Sequence, residues 1–278
     1  MSSRTSERPT KLPGLVDIFR PLVTQRYLLS QLVSREVQAK FKRSRLGLLW
    51  VVASPLLLLS GYTLVFGVLM KARWGGAGTS MEFALVLFAG LIFFNFFGEV
   101  IGKSPALIPS NTPYVKKMVF PLEVLGWSTM LSALVNAGIG IGVWIIFSLF
   151  VKGSIPLTIL WLPVVFVPFA LFTLGVCWFL SAYSVFHPDA EHIVPVGLLM
   201  MMFISPLFFS VDSLPETFRS IVIYNPLTYA LEEGRGVLIG GRAPNLFVMS
   251  VAYPLSIGVA WLGLASFLGN REGFADAL

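Results

Sequence analysis

The sequence predicts an all-α integral membrane protein. It should have six transmembrane helices, an N-terminal amphipathic interfacial helix, and an outer re-entrant helical pair between spans five and six. Three observations carry this reading. The 278 residues are 56% hydrophobic and only 12% charged, where soluble domains are about 25% charged. The apolar residues lie in long uncharged runs, not in alternation, which disfavours a β-barrel. Lys and Arg are spread unevenly among the connecting segments. A water-soluble enzyme is excluded for want of polar cover, and disorder is excluded by the high hydrophobicity.

Residues 1–45 read as a cytoplasmic N-terminus. The first 13 are polar and contain no apolar core of a signal peptide, so no cleavable leader is expected. A short turn is expected at 17–22, ended near Pro21. Leu28, Leu29, Leu32, Val33 and Val37 then recur at helical spacing, with Arg26, Arg35, Gln38 and Lys42 mostly off that stripe. Such a pattern predicts an amphipathic helix lying in the cytoplasmic interface, packed on protein, or both.

A spanning helix needs roughly 20 mainly apolar residues. Uncharged runs at 46–70, 124–151, 153–188, 193–211 and 243–270 meet that requirement, as does 83–102 with Glu99 tolerated. Ile155-Pro156 and His187-Pro188 mark turns at the ends of the fourth. The transmembrane domain is therefore 46–270, followed by a cytoplasmic tail at 271–278. Helices are required because a lipid-exposed backbone must satisfy its own hydrogen bonds. Trp50, Trp74, Trp127 and Trp161 fall near span ends, as interfacial anchors do.

Charge sets the orientation. Ten Lys/Arg lie in residues 1–45, and Lys103, Lys116, Lys117 and Arg271 join them on one side, against six on the other. The bias places both termini in the cytoplasm. It also accounts for the net charge of +6 without nucleic acid. The last outer segment, 212–242, is too apolar for a free loop and too interrupted for a span. Tyr224-Asn225-Pro226 splits it, because proline disfavours helix at the preceding residue and suits the first turn of the next. Two short helices dipping back toward the membrane are expected. No internal repeat is visible.

Several site-like patterns dissolve on inspection. Gly98-Glu-Val-Ile-Gly102-Lys103-Ser104 has three residues between its glycines, where a phosphate loop has four, and it ends a membrane helix. Lys103 is expected to snorkel to headgroups or to pair with Glu99 at i+4. His187 and His192 are five apart with Pro188 between them, unlike a helical zinc pair. They read as a turn between spans. Cys177 has no disulfide partner and reads as a small buried hydrophobe. No metal site and no catalytic residue is expected.

Three motifs occur in register. Phe41-Lys42-Arg43-Ser-Arg45-Leu-Gly47-Leu-Leu-Trp50, followed by Pro55 and Phe66-Gly67, leads into the first span. Lys117-Met-Val-Phe120-Pro121-Leu-Glu123 follows the Phe-rich second span. Tyr224-Asn225-Pro226-Leu227-Thr228 precedes Arg235 and Gly240. Over about residues 25–270 the chain resembles the ABC-2 type transporter permeases, and more narrowly the membrane subunits of bacterial polysaccharide exporters for O-antigen, capsule or teichoic acid. One departure is His187-Pro188-Asp189, where that family often has aromatic-Arg-Asp: the acid is kept and the Arg lost.

The resemblance implies a six-span half-transporter in the bacterial cytoplasmic (inner) membrane. It implies a homodimer working with two copies of a separate ABC ATPase, which carries ATP and Mg, so this chain itself holds no cofactor. It also leaves room for periplasmic export partners. The substrate implied is a lipid-linked glycan crossing through a channel at the dimer interface. Lys116, Lys117, Phe120, Pro121 and Glu123 would couple to the ATPase, through a short helix within 108–120. Lys40, Lys42, Arg43 and Arg45 would neutralise the lipid diphosphate, or merely hold the N-terminus inside. Phe94, Phe97, Tyr224, Asn225, Pro226, Tyr229 and Arg235 would lie along the channel and its outer gate. The alternative is an ABC-2 permease for drugs or small lipids. A secondary carrier is disfavoured, since no span offers a midplane carboxylate.

Overall fold

The computed structural model describes residues 12–41, 49–69, 79–116 and 120–278. Among them, the regular elements are all helical. In chain order they are α1 (Leu15–Thr24), α2 (Arg26–Phe41), α3 (Leu49–Tyr62, continued by a π-helical stretch Thr63–Leu69), α4 (Ser80–Lys103), α5 (Thr112–Val115) and α6 (Glu123–Lys152). Then come α7 (Leu162–Phe186, led in by a 3₁₀ turn Leu157–Trp161), α8 (Ala190–Ile204), α9 (Glu216–Ile223), α10 (Pro226–Leu238), α11 (Leu246–Asn270) and α12 (Phe274–Ala277). Among the described residues, four helices are long and apolar enough to cross a membrane: Ser80–Lys103, Glu123–Lys152, Leu157–Phe186 and Leu246–Ala277. Two shorter apolar helices, Ala53–Val65 and Ala190–Ile204, stand where the first and fifth spans are expected.

The fifth is cut short for a local reason. Ser205 precedes Pro206 and is extended at ψ 148°, the conformation that proline imposes on its predecessor. The helix therefore stops at Ile204, and Ser205, Pro206 and Leu207 turn into the core. The expected turn at 17–22 is corrected too. Helix α1 runs through Pro21 to Thr24, because Ile18 and Pro21 are buried and the Trp127 indole donates to the Ile18 carbonyl at 2.9 Å. Trp127 is thus a core residue, not an interfacial anchor. Trp50 and Trp161 remain exposed, and Trp74 lies outside the described residues.

Helix α4 is the centre of the bundle. A capping box starts it: the Thr79 hydroxyl accepts from Glu82 N at 3.3 Å and the Glu82 carboxylate accepts from Thr79 N at 2.8 Å. From Phe83 to Phe97 every residue is buried except Asn95, since α6, α7, α8 and α10 all pack on it. Helices α7 and α11 make the closest pairing. A Cβ on Gly263 would stand 2.0 Å from the Gly175 carbonyl oxygen, so the two backbones touch through their glycines, the small-residue contact of membrane helices. Pro168 lies within α7 and cannot donate to the Val164 carbonyl four residues back. The Tyr253 hydroxyl on α11 donates there instead, at 3.0 Å.

Both described termini meet at one end of the bundle. The Trp261 indole donates to the Pro13 carbonyl at 2.7 Å, and α12 packs on α5 and α7. The segments 153–161 and 205–245 lie at the other end.

Candidate functional site

Two regions stand out: the linker that joins α4 to α6 at the end shared with the termini, and the segment 205–245 opposite. The linker is pinned, not loose. Ser181 and Ser184 of α7 donate to the Ser104 and Pro105 carbonyls at 3.0 and 2.8 Å. Tyr114 of α5 stacks on Phe120 with ring centroids 4.6 Å apart and accepts from the Arg35 guanidinium of α2 at 3.1 Å. Arg271 donates to the Phe120 carbonyl at 2.8 Å and pairs with Glu123 at 3.8 Å. The Trp178 indole donates to the Glu123 carbonyl at 3.1 Å. Pro121 and Glu123 line a cleft of about 590 Å³ shared with Asp17, Arg20 and Pro21 of α1. Two further hollows, of about 530 and 500 Å³, flank Leu32 and Arg35 between α2 and the linker. Lys116 is exposed at the end of α5. Lys117, Lys42, Arg43, Arg45 and the Lys40 side chain lie outside the described residues.

Behind this face sits a polar cluster that the sequence suggests only in part. Lys103 pairs with Glu99 at 3.0 Å, as the i+4 spacing allows, and with Glu36 of α2 at 2.6 Å. Ser132 of α6 donates to Glu36 at 3.0 Å, and Asn136 donates to Glu99 at 2.8 Å. Lys103 therefore turns inward to two carboxylates and does not snorkel to headgroups. Charges in an apolar setting are tolerated when paired and hydrogen-bonded, and here three helices contribute to the pairing. Ser132 and Asn136 carry no sequence signal beyond a polar residue among apolar neighbours, and Glu36 is one of several polar residues on α2.

At the opposite end, α9 and α10 are separated at Tyr224-Asn225-Pro226 by a helix start. Asn225 accepts from Leu227 N at 2.9 Å and its amide donates to Ser205 at 2.9 Å, with Pro226 in the first turn. Their burial differs sharply. Helix α9 is exposed along most of its length, and Tyr224 is 87% exposed. Helix α10 is packed against α4 and α7. Tyr229 donates to the Val165 carbonyl at 2.9 Å. Arg235, 6% exposed, donates to the carbonyls of Leu207 at 2.9 Å, Val86 at 3.3 Å and Pro206 at 2.5 Å, and pairs with Glu232. Burial lowers its pKa to about 10, so it stays charged at neutral pH. Glu233 is likewise buried and accepts from Arg242 at 3.1 Å and Asn245 N at 3.0 Å. Arg235 and Glu233 of α10 are thus internal fasteners, whereas Arg219 and Asp212 pair at the surface at 2.9 Å.

The expected channel aromatics Phe94 and Phe97 are buried within the helical bundle of the single chain. Phe97 stacks on Phe169 of α7, with centroids 6.1 Å apart. Among the described residues no group of His, Cys, Asp and Glu is placed to hold a metal ion; His187 stacks on Tyr183 at 4.1 Å.

A helical bundle with four helices long and apolar enough to cross a membrane among the described residues defines a multi-pass membrane protein. The chain belongs to the ABC-2 type transporter family, whose model matches residues 27–239. It is 29% identical over 253 residues to the O-antigen export system permease protein RfbA of Klebsiella pneumoniae, covering 90% of this chain and 95% of that protein. The Myxococcus xanthus protein of the same name is 26% identical over 267 residues, covering 95% of this chain and all of that protein. The polysialic acid transport protein KpsM of Escherichia coli is 25% identical over 257 residues, covering 89% and 95%. This protein is therefore an ABC-2 exporter permease, homologous to permeases for O-antigen and polysialic acid.

Proposed function

We propose that this chain is the membrane half of an ATP-driven exporter that moves a lipid-linked polysaccharide across the bacterial cytoplasmic membrane. The observation that carries the reading is full-length similarity to an O-antigen export permease and a polysialic acid transport protein. Six spans cross the bilayer, with α3 and α8 completing the four long helices, and both termini lie in the cytoplasm. Two copies form a channel at their interface. Two copies of a separate ATPase bind ATP and Mg and dock on the cytoplasmic face, where Lys116, Lys117, Phe120, Pro121 and Glu123 transmit their motion. The bracing of the linker by Arg35, Ser181, Ser184 and Arg271 suits this role, because a docked lever moves the bundle only if it is fastened to it. Lys40, Lys42, Arg43 and Arg45 neutralise the lipid diphosphate, and Tyr224 lies at the outer gate. A long glycan favours a continuous channel over one closed site, since alternating access about a small cavity would not enclose it.

The test is co-expression with candidate ATPases in cells that assemble the glycan but cannot export it. Surface glycan appearing with this chain and an ATPase together, and disappearing when the ATPase cannot hydrolyse ATP, is the expected result. Export of a small drug with no surface glycan would assign the chain to another ABC-2 substrate class.

A further inference from the structure

Helix α6 turns one face away from the bundle. Val135, Ile146 and Leu149 on that face are apolar and exposed. Their positions recur at helical spacing, so they form one stripe along the helix. Gly138 and Gly142 lie on the same stripe, and nothing stands within 4 Å of a Cβ built on either. A Cβ on Gly140, on the opposite side, would meet Ile92 of α4 at 3.4 Å. At its foot, toward Glu123, the stripe runs into a groove of about 500 Å³ between α2 and α6. Leu22, Leu29, Val33, Leu131, Leu134 and Val135 line this groove, and its polar residues are Arg26 and Ser30. The Ser30 hydroxyl is spent on the Tyr27 carbonyl at 2.8 Å, which leaves the Arg26 guanidinium as the charged group at the groove.

We propose that this groove holds one phospholipid of the cytoplasmic leaflet, with an acyl chain against α6 and its phosphate at Arg26, and that it prefers an anionic headgroup. The proposal rests on the permease reading only for the leaflet, since the groove lies at the end assigned to the cytoplasm. Shape is the first argument. An apolar groove that continues into an exposed apolar stripe suits a long chain, and a cation beside it suits the head of that chain. A basic side chain with an apolar stem can cover such a groove and keep its charge at the headgroups. Charge is the second argument. The nearby acids are already engaged, Asp17 with Arg20 and Glu36 with Lys103. Outside the described residues the sequence holds a single acid, Glu7, among many Lys and Arg, so those segments add positive charge. Basic residues beside a membrane surface attract anionic lipids. Openness is the third argument. The groove faces away from α4 and is not enclosed, which suits a resident lipid and not a glycan in transit.

The test titrates the purified full-length permease in detergent with phosphatidylglycerol or phosphatidylcholine of the same acyl chains. Bound lipids are counted by native mass spectrometry. The first phosphatidylglycerol should bind about fivefold more tightly than the first phosphatidylcholine, the worth of one basic residue near an anionic headgroup. Arg26→Gln should remove that preference, and Arg26→Lys should keep it. Val135→Trp, at an exposed position, should fill the groove and weaken both lipids alike. Equal affinities in the parent, a preference that survives Arg26→Gln, or unchanged binding in Val135→Trp would overturn the proposal. A parent dimer that Val135→Trp dissociates would assign this face to a second copy of the chain. Displacement of phosphatidylglycerol by a lower concentration of polyprenyl phosphate would assign the groove to the glycan carrier. Either result also overturns the proposal. None of these outcomes bears on the export test, so failure here leaves the permease reading standing.

Discussion

Tyr253 and Pro168 show how single residues settle the hydrogen-bond accounts of a membrane helix. Proline removes a donor inside α7, and a hydroxyl from α11 replaces it. Where no water is available, a carbonyl left without a donor is penalised. Tyr253→Phe should therefore cost about 1 kcal/mol, read as a lower unfolding midpoint in detergent. Pro168→Ala restores the N–H, so adding Tyr253→Phe to it should cost clearly less than in the parent. Equal costs in the two backgrounds would show the pair to be uncoupled. Arg235 follows the same logic at the outer end, where one guanidinium serves the carbonyls of three residues on two segments.

Glycine contacts govern how closely the elements approach. Gly175 and Gly263 set the α7–α11 distance, and the nearest obstacle to a Cβ on either is backbone, which cannot swing aside. Gly263→Ala should force the helices apart and destabilise the protein by about 1–3 kcal/mol, measured by thermal unfolding of the purified permease. Gly258→Ala, where nothing lies within 4 Å, should be near neutral and serves as the control. Gly234 is a different case: its Cβ would stand 2.3 Å from the Phe93 ring, whose aromatic packing against Phe166 and Phe169 fills the α4–α7 seam. Helix α10 is held at such seams and α9 is not, so any movement of the outer segment belongs to α9, about the break at Tyr224-Asn225.

Across the whole molecule, charge asymmetry predicts that the end bearing α1, α2, α5 and α12 is cytoplasmic. In a Cys177→Ser background, a cysteine at Ser80 should be labelled by an impermeant reagent from outside. One at Ser110 should react only after permeabilisation. Both positions are exposed in the single chain, and labelling of both in detergent without the ATPase is the control that failure to label reflects the membrane and not burial. The reverse pattern would invert the orientation and remove the linker from the ATPase.

Composition and run length determined that this protein is helical and membrane-embedded. Those properties are additive along a chain, so a one-dimensional reading recovers them. The break at Asn225-Pro226 was equally legible, because capping and proline act on immediate neighbours, and three motifs in register were enough to indicate the family. The early stop of α8 at Ser205-Pro206 was locally encoded too, but the long apolar run concealed it. Only the tertiary structure decided which face of each helix is buried. It enclosed Phe94 and Phe97, drew Trp127 into the core, turned Lys103 toward Glu36, and buried Arg235 against carbonyls of Val86, Pro206 and Leu207. In these helices nearly every residue is apolar, so hydropathy hardly distinguishes a lipid-facing side from a protein-facing one. That choice is made by shape and by polar pairs between residues far apart in the chain.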